Sequence, residues 1–140
     1  MNKGLPKIGI VIPCYNEENR INVNSYHYFL ENNDIFILFV NDGSTDKTTE
    51  IINSITLNNP NAELINCKNN KGKAEAVRVG IMELVKRGYS YIGFWDADLS
   101  TPLSEIENFF NIVQKQPLIL GVIGSRILKL GSTIKRKKVR

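Results

Sequence analysis

Tyr91-Ile92-Gly93-Phe94-Trp95-Asp96-Ala97-Asp98-Leu99-Ser100-Thr101-Pro102 is the stretch from which the rest of the chain is best read. An aromatic, apolar run bounded by Gly88 upstream and Thr101-Pro102 downstream predicts a buried strand that ends where two carboxylates begin. Side chains alternate along a strand, so Asp96 and Asp98 are expected on one side, about two residue rises or roughly 6–7 Å apart. Two like charges so close are costly unless a cation lies between them or one is protonated. A hard oxygen pair suits Mg²⁺ or Mn²⁺ better than zinc, and such an ion keeps positions open for phosphate oxygens. The simpler reading is that Asp96 caps a turn and Asp98 is solvated. The place of the pair at a strand's carboxyl end favours the ligand, because open α/β sheets bind there.

Working outward, Ile8 to Pro13 predicts a first strand stopped by Pro13, and Asn16-Glu17-Glu18-Asn19 predicts a helix start with Asn16 as cap. Ile21, Tyr28, Phe29 and Leu30 are its expected inner face. Ile35 to Val40, apolar on both faces, predicts a central parallel strand, followed by a polar turn in which Asp46 caps a helix carrying Ile51, Ile52 and Ile55. Residues 62–66 form a weaker strand. Ala74, Val77, Ile81, Leu84 and Val85 then recur at helical spacing up to Gly88. After the opening stretch, Thr101-Pro102 should start a helix with Ile106, Phe109, Phe110 and Val113 inward, and Leu118 to Ile123 should form one more strand. Strands alternating with helices predict an α/β fold: a mainly parallel sheet with right-handed crossovers and helices on both faces. The polar clusters after Ile12, Val40 and Trp95 then share one sheet edge.

Composition bounds the class. The 140 residues, 42% hydrophobic and 23% charged, suit one globular domain, and no apolar run reaches the ~18 residues of a membrane span. With no signal peptide evident, the expected location is cytoplasmic, with peripheral membrane contact as a variant. Cys14 and Cys67 lack the partners of a zinc site, and His27 falls inside a helical pattern, as a packed or surface residue does. Of the net charge of +4, five positive charges come from Lys135, Arg136, Lys137, Lys138 and Arg140, leaving −1 for residues 1–134. Residues 1–134 are therefore expected to form the folded domain and residues 135–140 a basic tail. Nucleic acid is not an expected partner of that domain, and nothing in the pattern specifies an oligomer.

Individually the polar clusters are ambiguous. Asp42 can accept from a ribose hydroxyl or a base N–H, or it can stabilise its own turn. Lys71-Gly72-Lys73 at a helix start can hold a phosphate, or it can be a solvated loop; it is neither a Walker loop nor a dinucleotide fingerprint.

In order, Val-Ile-Pro-Cys-Tyr-Asn-Glu-Glu (11–18), Val-Asn-Asp-Gly-Ser-Thr-Asp (40–46), Asn-Lys-Gly-Lys-Ala-Glu-Ala-Val-Arg-Val-Gly (70–80) and Asp-Ala-Asp-Leu-Ser-Thr-Pro (96–102) closely resemble family 2 glycosyltransferases. Within that family the likeness is greatest to the dolichyl- or polyprenyl-phosphate glucosyltransferase branch, and it extends from Ile8 to the Gly124-Ser125-Arg126 motif. The resemblance implies the Rossmann-like nucleotide-binding half of a GT-A fold and a nucleotide-diphosphate sugar, UDP-glucose-like, as donor. It also implies a divalent metal and inverting transfer to an acceptor such as a polyprenyl phosphate. Carried over, Pro13, Tyr15 and Glu17 line the nucleotide pocket, Asp42 contacts base or ribose, Gly72 and Lys73 lie beside the donor, and Asp96 and Asp98 hold Mg²⁺ or Mn²⁺ against the diphosphate. Asn41 replaces an aspartate usual in the family, and Ala74 a common glycine. GT-A domains run on for roughly another half, so this chain is expected to be the donor-binding part, with the catalytic base and acceptor residues beyond Arg140.

Two rivals come from other classes. A haloacid-dehalogenase-like phosphatase also places Asp-x-Asp after an apolar strand, but it needs a later acidic pair that the residues after Pro102 do not supply. A non-catalytic binding fragment would use its basic tail on an anionic surface.

Overall fold

The computed structural model describes residues 7–116 and 118–124. Four strands and three helices alternate up to Glu105: β1 (Ile8–Cys14), α1 (Val23–Asn32), β2 (Phe36–Asp42), α2 (Thr48–Thr56), β3 (Ala62–Cys67), α3 (Lys73–Lys86) and β4 (Tyr91–Phe94). The sheet order is β3-β2-β1-β4 and every pairing is parallel. The expected α/β architecture is therefore present. Strand order grows outward from β1 to β3, and α3 then carries the chain back to the far side of β1. That reversal beside β1 is where open α/β sheets form a binding crevice.

β2 is buried along its whole length, as its unbroken apolar run requires. One face of the sheet, through Val11, Phe36, Leu38 and Val40, packs on Ala76 and Leu84 of α3. On the other face Tyr26 of α1 meets Phe39 edge-on, with ring centroids 5.1 Å apart. β4 differs from expectation: it is the edge strand of this sheet, half-buried, with Phe94 exposed. Aromatic content signalled a strand correctly but not its depth, because burial depends on which neighbours the topology supplies.

Several local expectations are corrected. Pro13 does not stop β1; it lies inside the ladder opposite Val40. Val11 turns its carbonyl toward β4, where it accepts from Trp95 (2.9 Å), so Pro13 two residues on presents its missing N–H to the same edge, past the last paired residue of β4. The first helix starts at Val23 and not near Asn16; its cap is Asn22, whose side chain accepts from the Ser25 amide. Tyr28 is exposed and Tyr26 takes the inward position. α3 is also turned from the expected face: Ala76, Gly80 and Leu84 are buried, whereas Ala74 and Val85 are exposed. Larger side chains gave the apolar stripe its periodicity, yet the helix approaches the sheet through its smallest residues. Gly88 ends α3 as expected, with Gly88 and Tyr89 amides returning to the Val85 and Leu84 carbonyls.

Among the described residues, those from Ile106 to Gly124 belong to a separate compact unit. α4 (Glu105–Lys115) begins three residues later than Thr101-Pro102 suggests; the Glu105 amide first closes a turn onto the Pro102 carbonyl. Ile106 is buried, and Phe109, Phe110 and Val113 are partly so. Leu118 to Ile123 do not form the expected strand, and Leu118, Leu120 and Ile123 are exposed. β-propensity becomes a strand only where a ladder partner is available, and among the described residues none pairs with this run. Ser125 and Arg126 of the Gly124-Ser125-Arg126 motif, and the basic run 135–140, lie outside the described residues.

Gly80 tests the α3–sheet contact. A Cβ there would lie 2.4 Å from Val11 Cγ1, 2.7 Å from its Cγ2 and 3.1 Å from Val40 Cγ2. Helix propensity alone makes Gly80→Ala stabilising by about 1 kcal/mol, whereas overpacking costs about 1–3 kcal/mol. Net destabilisation in urea titrations is the expected result.

Candidate functional site

Four loops at the carboxyl ends of the strands, one after each strand, build the site. After β1, Asn16 adopts a left-handed backbone (φ 51°), and its side chain accepts from the Thr45 amide (2.9 Å) while its amide donates to Ser44 Oγ (3.0 Å). The Glu17 amide donates to Thr48 Oγ1 (2.7 Å), the Glu18 amide to Asp46 (3.2 Å), and the Lys47 amide to Glu18 (3.0 Å). The cluster read as a helix start instead zips the β1 loop to the β2 loop. Asp46 also accepts from the Thr48 amide (3.0 Å), so it satisfies the start of α2 from just outside the helix.

Beneath this zip Asn41 is buried, with its amide nitrogen shared by Thr49 Oγ1 (2.8 Å) and Asn66 Oδ1 (2.9 Å) and its oxygen facing Ser44. An aspartate could not donate those two bonds. The asparagine is thus suited to its neighbours here.

Asp42 lines the cavity described below, and its carboxylate has partners that its sequence context did not reveal. It is buried at the end of β2, and its carboxylate accepts from the Lys71 amide (2.9 and 3.1 Å) and the Gly72 amide (2.7 Å). It clamps a loop 29 and 30 residues further along the chain. Gly72 makes this possible: at φ 95° its backbone turns two successive amides toward one carboxylate, a region that L side chains avoid.

The fourth loop follows β4. The two acids do not lie on an extended strand, so the alternation argument for their common side fails. The sheet ends at Phe94, and residues 96–99 form a turn in which the Leu99 amide donates to the Asp96 carbonyl (3.3 Å) with Leu99 at φ 53°. A leucine in that conformation costs on the order of 1 kcal/mol. Ala97, between the acids, is buried and accepts from the hydroxyl of the fully buried Tyr26 (3.3 Å). Tyr26 thereby supports the turn from the opposite face of the sheet. Its i, i+3, i+4 relation to Phe29 and Leu30 was the sequence signal for that inward position.

Pro13, Tyr15, Glu17, Asp42, Gly72 and Lys73 line a single cavity of about 220 Å³, together with Cys14, Asn70 and Ala76, which sequence reasoning did not single out. Asp96 joins this group through an ion pair with the Lys73 ammonium. Asp98 joins it electrostatically. Burial raises the Glu17 pKa above the usual carboxylate range, Arg20 at 2.7 Å opposes this, and the charges of Asp98, Asp46 and Asp96 raise it further. Asp98 is held below the ordinary aspartate value, first by its bond from the Ser100 amide (3.0 Å), with attraction from Arg20 and Lys73 added. Burial, with the Glu17 charge, pushes the Cys14 thiol far up, so it stays protonated. The arrangement offers an acidic rim, one mobile ammonium and a half-open cavity at a sheet's carboxyl edge. A ligand carrying both anionic and polar groups can be held there, with a cation bridging its anion to the acids.

Residues 9–139 match glycosyl transferase family 2. A dolichyl-phosphate beta-glucosyltransferase of Trichomonas vaginalis is 29% identical over 142 residues, covering 95% of this chain and 42% of the relative. A poly-beta-1,6-N-acetyl-D-glucosamine synthase of Staphylococcus aureus is 33% identical over 139 residues, covering 93% of this chain and 31% of the relative. A mannosyltransferase from Pyrobaculum calidifontis, solved in complex with GDP-Man and Mn²⁺, superposes with a TM-score of 0.59 at 22% identity, over 77% of this chain and 32% of that one. The chain thus spans less than half the length of these relatives.

Removing the Asp42 carboxylate should free the loop before α3. Each charge-assisted bond lost contributes about 1.5–3 kcal/mol, so Asp42→Ala is expected to lower stability by about 3 kcal/mol or more in chemical denaturation. Hydrogen exchange at the Lys71 and Gly72 amides should accelerate at the same time.

Proposed function

The chain belongs to glycosyl transferase family 2, and we propose that its cavity binds the nucleoside-diphosphate part of a sugar donor, with Asp96 and Asp98 holding a divalent cation against the diphosphate. The observation that carries this reading is the convergence of Pro13, Tyr15, Glu17, Asp42, Gly72 and Lys73 on one cavity, with Asp96 tied to it through Lys73.

The donor set fits Mg²⁺ or Mn²⁺. The carboxylates are hard oxygen ligands, and the repulsion that Asp98 and Asp96 exert on Glu17 is of the kind a divalent cation relieves. Among the described residues no group of three His, Cys, Asp or Glu is arranged to hold an ion by itself. Two carboxylates completed by phosphate oxygens and water is the usual provision for Mg²⁺ at phosphate sites. When bound, the ion supplies Lewis-acid stabilisation of the charge that gathers on a departing diphosphate.

The chain's own groups do the rest. Asp42, with its oxygens committed to the loop amides, holds the floor of the cavity and aligns Lys73 at the first turn of α3. Pro13, Cys14 and Ala76 give the cavity an apolar wall, while the half-exposed Tyr15 ring offers a face for a base or ribose. The Lys73 ammonium adds a positive charge beside the acids for the diphosphate oxygens. The donor is UDP-glucose-like, and transfer proceeds with inversion to an acceptor such as a polyprenyl phosphate. An acceptor already anionic at neutral pH needs little help from a base. Acceptor-side residues belong to the part of the longer relatives that this chain does not span. Among the described residues no helix is long and apolar enough to cross a membrane.

Calorimetric titration of the chain with UDP and GDP, with and without Mn²⁺, tests the reading. Binding should require the metal, and Asp96→Ala and Asp98→Ala should each weaken it by at least about tenfold, or about 1.4 kcal/mol. Nucleotide binding indifferent to the metal and to both substitutions would overturn the assignment.

A further inference from the structure

Lys73 and Asp96 share a contact that the donor reading leaves unexplained. If Asp96 serves a divalent cation, its carboxylate is already engaged by an ammonium from this chain. Both side chains are about half exposed, 59% for Lys73 and 47% for Asp96. An ion pair so open to water is weak, enough to compete with a loosely held metal but not to exclude a strongly held one.

The root and the head of Lys73 behave differently. Its backbone begins α3 directly after Gly72, whose amide is fixed on the buried Asp42 carboxylate. Its head, on a flexible four-carbon stem, lies 5.8 Å from the centre of the Phe94 ring and lines the same cavity as Tyr15 and Glu17. The ammonium can therefore exchange partners without backbone movement. One constraint limits the exchange: Lys73 stands at the positive end of the α3 dipole, where a cation is disfavoured unless an anion accompanies it. A bare metal ion that takes Asp96 leaves the ammonium unpaired at that end. A metal arriving with a diphosphate takes Asp96 and supplies the ammonium with a new anion.

Resting on the donor-site reading above, we propose that Lys73 is an internal counter-ion that occupies Asp96 in the empty protein and makes metal and nucleotide binding mutually dependent. It disfavours the bare ion and favours the ion together with a nucleoside diphosphate. Asp96 thus does not collect divalent cations uselessly, and the acidic rim is neutralised in both states.

The test separates the two ligands. Mn²⁺ binding to the full chain is measured by electron paramagnetic resonance of the free ion, first with the metal alone and then with UDP or GDP present. Lys73→Met should bind Mn²⁺ alone about two- to fivefold more tightly, the range set by an exposed pair, yet bind it less tightly than wild type when nucleotide is present. Lys86→Met removes a charge from the last turn of the same helix, where the side chain is exposed. It should leave both affinities unchanged. A Lys73→Met protein with unchanged or weaker affinity for bare Mn²⁺ overturns the proposal, as does an equal gain in Lys86→Met, which would reduce the effect to net charge. If wild type retains no Mn²⁺ even with nucleotide, the donor-site reading itself falls; if it does and only the sign reversal is missing, this inference alone falls.

Discussion

The structure of the site depends on one buried carboxylate. Asp42 sits at the end of the strand that is buried throughout, where an uncompensated charge would be costly. Its compensation comes from two backbone amides of a loop that follows β3, and neither partner is a side chain. That choice fixes the end of β2 to the beginning of α3. A side-chain partner could rotate away; an amide pair carries its loop with it. The cavity floor, the direction of Gly72 and the root of Lys73 all follow from this clamp.

Polar zipping extends the same logic across the edge of the sheet. Asn16, Glu17 and Glu18 present backbone and side-chain groups to Ser44, Thr45, Asp46, Lys47 and Thr48, so the β1 and β2 loops satisfy each other. Asn41 anchors the zip from below by donating to Thr49 and Asn66 and accepting from Ser44. On the β4 side the turn between Asp96 and Leu99 is tied across the sheet by the Tyr26 hydroxyl to the Ala97 carbonyl, to β1 by the Trp95 amide to the Val11 carbonyl, and to α3 by the Lys73–Asp96 ion pair. The cavity therefore has walls from the loops after β1, β2 and β3 and an acidic lip after β4.

The electrostatics have the same division. Deep in the site the charge of Asp42 is matched by fixed amide dipoles, whereas at the rim Glu17, Asp96 and Asp98 are matched by the long side chains of Arg20 and Lys73. Fixed dipoles give geometry, and mobile cations give exchange.

Much of this was legible in the residues. Alternating apolar runs and turn clusters were enough for the parallel α/β order, and the four motifs were enough for the family, because strand identity and motif spacing are carried by local pattern. Gly88 ends α3 where its residue type says a helix should end. The interpretation of single polar residues was not legible, since their partners are remote: Asp42 could not reveal a clamp on residues 71 and 72, and Asn16 looked like a cap until Ser44 and Thr45 stood beside it. Depth was equally hidden. Tyr28 and Tyr26 have similar apolar content, and Ala74 and Ala76 none to distinguish them, yet one of each pair is buried because of how its helix rests on the sheet. The amino-acid order by itself determined which segments become strands and helices, and which family's motifs they carry. Tertiary structure alone decided which loops meet, that the two acids lie in a turn and not along a strand, and that Lys73 reaches Asp96, because these contacts join residues far apart in sequence that only the sheet's parallel topology brings to one edge.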